Sequence, residues 1–249
     1  MKTVLRVLLI IVVIIIAGVG VLYFTLNKPL PQGERGQAAD ALAEKMLGAV
    51  NKVAWDSTNV IKWTFKGVHN YVWDKEHNLV EITWDDKRVL LNLNDWEKGI
   101  AYEGEVEYTG DKRGELLSTA YAYFCNDSFW LIAPFKIKEE GVILQFVVAS
   151  EGEGESLLVS YTSGGVTPGD SYQWFTDENG LPTHYRMWVS IIPIGGVEAT
   201  WENWEAKSTG VKLPNLHQLG PVALDMGEPQ TGNSLTDIGM SESLFVAIK

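Results

Sequence analysis

From Val7 to Leu26 the chain carries no charged residue, and most positions are Val, Ile, Leu, Gly or aromatic. As a helix rising about 1.5 Å per residue this stretch is roughly 30 Å long, the thickness of a bilayer's hydrocarbon core. Backbone in lipid has to satisfy its own hydrogen bonds, so a transmembrane helix is predicted over 7–26. Tyr23 and Phe24 fall where an interfacial aromatic belt belongs. Lys2 and Arg6 mark residues 1–6 as a cytoplasmic tail, which puts the rest of the chain in the periplasm or at the cell exterior. A cleaved signal peptide is the competing reading, but its apolar region normally runs about 7–15 residues and ends in small residues. Here only Gly18-Val19-Gly20 offers that spacing.

Residues 27–37 contain Pro29, Pro31, Gly33 and Gly36 and read as a short stiff spacer. Ala39, Leu42, Ala43, Met46, Leu47 and Val50 then recur at helical spacing, which predicts one amphipathic helix over 38–53. The pattern changes to a period of two beyond it. Ile61, Trp63 and Phe65 alternate with polar residues, as do Val80, Ile82 and Trp84, Val142 to Val148, Tyr185 to Ile191, and Val197 to Trp201. Turn signals at 74–78, 164–165, 178–180 and 195–196 separate them. Short connections between half-apolar strands predict an antiparallel meander with one dry face. Leu116, Leu117, Ala120, Tyr121 and Phe124 interrupt it with helical spacing, so a second helix is predicted over 112–125, with Phe129 to Ile132 apolar until Pro134. Residues 227–249 turn polar and read as a loosely held tail. The class expected is mainly β (α+β), a curved antiparallel sheet covered by helices, preceded by one N-terminal transmembrane helix.

Charge narrows the partners. The chain of 249 residues has a formal charge of −12, and without Lys2, Arg6 and Lys28 it sets 17 basic against 32 acidic residues. Such a surface repels phosphate backbones, which excludes nucleic acid, and it repels anionic headgroups too. Cys125 is the single cysteine, so no intramolecular disulfide and no multi-thiolate zinc site can form; it reads as a buried thiol. There is no G-x-S-x-G, H-E-x-x-H or G-x-x-x-x-G-K pattern. An enzyme is therefore not expected, and neither is a cofactor or metal. The run Glu151 to Glu155 reads as a solvated hairpin tip, and Asn126-Asp127-Ser128 matches a glycosylation sequon in a segment expected to be partly buried.

What the composition does supply is large rings, with ten tryptophans. Trp63, Phe65, Trp84, Trp130, Trp188 and Trp201 are the candidate lining of a ligand cavity on the concave face of the sheet. The competing reading is that these rings simply fill a solid core.

Several segments in order carry a family likeness: the helix at 38–53, strands at 60–65 and 71–73, and Asn126-Asp127-Ser128-Phe129-Trp130-Leu131-Ile132-Ala133-Pro134-Phe135-Lys136. Tyr172 to Pro182, Trp201-Glu202-Asn203-Trp204 and Leu213-Pro214 follow. This order resembles the LolA/LolB-like superfamily over residues 38–226, especially its uncharacterised bacterial members with an NDxFWLxxPFK-type segment. The resemblance implies a half-open, strongly curved antiparallel barrel lidded by helices, whose cavity in the lipoprotein carriers holds acyl chains. Two departures stand out. The carriers' kRPxxFRW-like strand is missing from Val68 to Trp84, and the chain reads as anchored rather than diffusible.

The function expected is a membrane-anchored, extracytoplasmic, non-enzymatic domain that binds a lipid or a lipoprotein acyl chain. The alternative is a solid-core envelope scaffold that recognises another protein. A hydrolase working through His184 is a third reading.

Overall fold

The computed structural model describes residues 25–148, 154–163 and 168–248. The predicted membrane segment, apart from Thr25 and Leu26, lies outside the described residues, as do the 164–165 turn and Glu151 to Glu153. No described helix is long and apolar enough to cross a membrane.

The chain is mainly β, with antiparallel sheets and a few helices. The apolar stripe predicted as one helix forms two, α1 (Gln37–Ala49) and α2 (Lys52–Ser57). The break is at Asn51, which adopts a left-handed conformation (φ 60°) and accepts a hydrogen bond from the Ala54 amide at 3.3 Å. Asparagine tolerates that backbone region and caps helix N-termini, so one residue both stops α1 and starts α2.

The alternating segments form a meander, β1 (Val60–Phe65), β2 (His69–Asp74), β3 (Leu79–Trp84), β4 (Lys87–Asn92), β5 (Ile100–Glu103) and β6 (Val106–Glu107). A second sheet is built from β7 (Val142–Val147), β8 (Ser156–Tyr161), β9 (Ser171–Thr176), β10 (Pro182–Trp188) and β11 (Val197–Thr200). Past a separate ribbon of β12 (Glu205–Ala206) and β13 (Lys212–Leu213), this sheet gains β14 (Leu216–Leu219) and β15 (Val222–Asp225). The sheets meet along β1. Its first half pairs with β16 (Gln230–Gly232), whereas Thr64 and Lys66 donate backbone hydrogen bonds to Met226 and Asp225. Period two decides the faces: Ile61, Trp63, Phe65, Val80, Ile82 and Trp84 all point into one core shared by both sheets.

Between the sheets runs α3 (Gly110–Ile132), longer than the predicted 112–125. Phe124 packs against Trp63, Tyr71 and Trp73 of the first sheet. Phe129 and Trp130 meet Tyr172 and Tyr185 of the second. The polar triplet 126–128 does not end this helix, because Asp127 finds buried partners. Pro134, in the 3-10 turn Ala133–Lys136, ends it.

Residues beyond 227 also differ from the sequence reading. Composition there is polar, but β16 extends the first sheet, and Leu235, Ile238 and Phe245 cover the outward-facing Val60, Val72, Leu79 and Leu90. Met240, Leu244 and Ile248 pack against the same cluster, so the tail is docked by apolar side chains as well as by β16. The proline-rich spacer is docked as well. Glu34 exchanges backbone hydrogen bonds with Phe146 at 2.8 and 2.7 Å, and Gln145 Nε2 donates to the Gly33 carbonyl. The edge of β7 is thereby covered rather than left open.

Candidate functional site

A cavity of about 690 Å³ lies between α3 and the second sheet and reaches the end of β1. Its inner wall is Phe129 and Trp130 from α3 with Tyr161, Tyr172, Tyr185 and Met187 from β8, β9 and β10. The three tyrosines arrive there by alternation: Tyr161 ends β8, and the β9–β10 register pairs Tyr172 with Met187. Burial raises the affinity of all three hydroxyls for their protons, so each stays neutral. The Tyr161 hydroxyl is buried and makes no hydrogen bond among the described residues. At the rim are exposed Lys66, Glu139, Glu140, Ser163 and Ile191, with Lys136 paired to Glu139 at 2.7 Å.

Of the six candidate residues two line the wall, three pack in the core and Trp188 does neither. Phe65 and Trp130 line the cavity. Trp63 stacks on its cross-strand partner Tyr71 at 4.6 Å, and Trp84 meets Tyr123 edge-on. Trp201 is packed among Trp174, Trp204 and His217. Trp188 is half-buried at the end of β10 and donates from Nε1 to the Lys28 carbonyl at 2.8 Å. Sequence reasoning followed the tryptophans; the tyrosines and methionine of β8–β10 make more of the wall. Tyr185 and Met187 are visible in the sequence as an alternating set, but which alternating sets face a void is not. Cys125 is half-buried in the wall, and burial pushes its thiol up, so it behaves as a small neutral apolar group.

A polar cluster that the sequence does not advertise holds α3 in place. Asp127 Oδ2 accepts from the Tyr71 hydroxyl at 2.6 Å and lies 2.6 Å from His69 Nδ1, while Oδ1 accepts from Asn126. His69 stacks on Tyr123, with ring centroids 4.1 Å apart. Burial, and then the neighbouring Asp127 carboxylate, hold the Tyr71 hydroxyl far above its ordinary range, so it remains a donor. The helix that forms one wall of the cavity is thus tied to β2 by a buried carboxylate.

His217 is fully buried against Trp130 and Trp201, with Nδ1 donating to the Thr200 carbonyl at 2.9 Å. Burial pushes its imidazole down to about 4, against the opposing pull of the Thr200 and Trp130 carbonyls. The unfolded chain therefore binds a proton that the folded chain refuses between about pH 6.5 and 4. Stability from this residue is complete above 6.5 and falls as the pH drops through that window, by about 3 kcal/mol in all. Urea midpoints measured from pH 7 to pH 4 are expected to fall more steeply for the wild type than for His217→Leu. Parallel curves would show that His217 does not titrate this way.

Among the described residues, no group of three or more His, Cys, Asp or Glu is placed to hold a metal ion. No protein-family model matches the chain, and no curated protein matches it. Three chains of solved structures do. One is the crystal structure of a DUF1329 family protein from Desulfovibrio piger, at a TM-score of 0.40 and 10% identity, covering 86% of this chain and 100% of that one. The β-rich fold and its aromatic clusters are compatible with a ligand-binding domain.

Proposed function

We propose that this chain is a membrane-anchored, extracytoplasmic, non-enzymatic domain that binds an apolar ligand, a lipid or a lipoprotein acyl chain. In this reading the two sheets joined along β1 act as a half-open barrel around α3, and residues 7–26 hold it to the bilayer. The observation that carries the proposal is the cavity of about 690 Å³ between α3 and β8–β10. That volume is within the range of about 300–1,000 Å³ common to small-molecule sites. Most of its inner wall is rings and a methionine, with Ser128 and Asp170 as buried polar groups beside them, and the apolar part gains from covering apolar ligand and adapts to its shape. A solid-core scaffold would have no use for such a void.

The test is lipid extraction and native mass spectrometry on the purified chain, with Met187→Trp beside it. Met187 is buried in the cavity wall, so a larger side chain there occupies ligand space. Acyl ligand is expected to co-purify with the wild type and to bind at least about tenfold more weakly to Met187→Trp, a difference of about 1.4 kcal/mol. Failure to recover or add any acyl ligand would sink the proposal and return the scaffold reading.

A further inference from the structure

The chain that leads out of the predicted membrane segment is seated beside the mouth of the cavity. The Asn27 side chain accepts from the Gly195 amide at 2.7 Å, and the Lys28 amide donates to the Gly195 carbonyl at 3.0 Å. The Lys28 carbonyl in turn accepts from Trp188 Nε1. This seat is built for close approach. A Cβ at Gly195 would overlap the Trp188 ring and the Lys28 carbonyl, and Gly196, at φ +76°, lies directly beneath the Lys28 side chain. The Gly-Gly pair that reads as a turn signal therefore also serves to admit residues 27 and 28.

The same loop, 189–196, carries Val189, Ile191 and Ile192 into the cavity lining. Ile191 is 71% exposed, and Leu26 and Leu30 on the docked strap are 49% and 47% exposed. Two independent features thus share one end of the domain: the opening of the apolar cavity and the point where a 20-residue uncharged segment, 7–26, delivers the chain. A domain pinned to its tether at Gly195 cannot turn that end far from the bilayer.

We infer that the cavity mouth faces the membrane, with the 189–192 loop dipping its isoleucines into the lipid interface, so that ligand enters directly from the bilayer rather than through water. The inference rests on the ligand-binding reading for its purpose and on the anchor for its geometry. Charge selects the surface: Lys66 and Lys136 offset Glu139 and Glu140 at the rim, and the acidity of the whole domain favours a neutral, zwitterionic lipid face over an anionic one.

The experiment uses the full chain reconstituted in phosphatidylcholine vesicles, in a Cys125→Ser background, with an environment-sensitive fluorophore on Ile191→Cys. Asn179→Cys is the reference. It is exposed in the hairpin at the other end of β10, about 20 Å along that strand at about 3.3 Å per residue. A nitroxide carried on the lipid chains is expected to quench the label at 191 several-fold more than the label at 179. Equal quenching at the two sites overturns the inference, as does a label at 191 that is shielded but insensitive to the lipid nitroxide, the mark of a contact between two copies. A chain that fails to stay with the vesicles overturns it together with the anchor. Acyl binding with no quenching at 191 would leave the ligand-binding reading standing and remove this one alone, whereas quenching at 191 without acyl binding would remove the ligand-binding reading and with it the entry of ligand, leaving only the orientation of the mouth.

Discussion

Asp127→Ala is expected to lower the stability of the domain by about 3 kcal/mol, because it strands one buried and one part-buried partner at about 1–3 kcal/mol each. The Tyr71 hydroxyl, on a residue 1% exposed, loses its acceptor, and His69 loses the carboxylate beside its Nδ1. For a domain of this size that is a fall in Tm of about 10 °C. Asp127→Asn can keep its oxygen where Oδ2 faces both Tyr71 and His69 and turn its amide toward Asn126, so it is expected to lose about half as much. Tyr71→Phe removes a single donor and leaves Asp127 with His69, at about 1.5 kcal/mol. In the double variant the two losses are expected to fall short of their sum by about 1 kcal/mol or more, since both report the same hydrogen bond. Urea denaturation of the wild type and the four variants measures all of this. A near-zero effect of Asp127→Ala would show that the cluster does not hold α3 to β2, and the cavity wall would need another support.

Acyl-chain length is expected to control affinity steeply and then stop. Each methylene that enters an apolar cavity contributes about 0.8 kcal/mol, close to fourfold in Kd. From an eight-carbon to a twelve-carbon alkyl carboxylate, four methylenes should therefore tighten binding by about 200-fold. The gain must end once the cavity of about 690 Å³ is full and further carbons protrude past Ile191 into solvent. Competition against a fluorescent fatty acid measures the series. A chain beginning at Thr25 suits it, since among the described residues the core runs from Ala39 to Phe245 and no vesicle is then needed to keep the protein dispersed. Met187→Trp is expected to reach its plateau at a shorter chain, which identifies the cavity as the place where the carbons go. A flat series would mean that the rings of β8–β10 close over the space and the apolar-ligand reading is wrong.

Much of the architecture is written in short-range chemistry. A period of two assigns Ile61, Trp63, Phe65, Val80, Ile82 and Trp84 to one face, and all six lie in the core. That works because alternation is a local property of extended backbone, independent of which strand comes alongside. The helical stripe at Ala39, Ala43, Met46 and Leu47 is legible for the same reason, and so is the stop at Pro134. Net charge and the absence of catalytic motifs shape the expected function with no structure at all.

What local pattern cannot reach is anything that depends on a distant partner. Asp127 looks like a helix-ending polar residue until Tyr71 and His69, some 56 and 58 positions away, provide its hydrogen bonds. Leu235, Ile238 and Phe245 look like strays in a polar tail until the outer face of β1–β4 needs covering. The aromatic surplus announces a ring-rich interior, yet it cannot say which rings touch one another and which border a void. Trp63, Trp84 and Trp201 pack against neighbours, whereas Phe65 and Trp130 stand at the wall, and that division is made by where α3 lies between the sheets. Hydrophobicity drives a side chain inward whatever it meets there; whether it meets another side chain or empty space is settled only when the elements assemble.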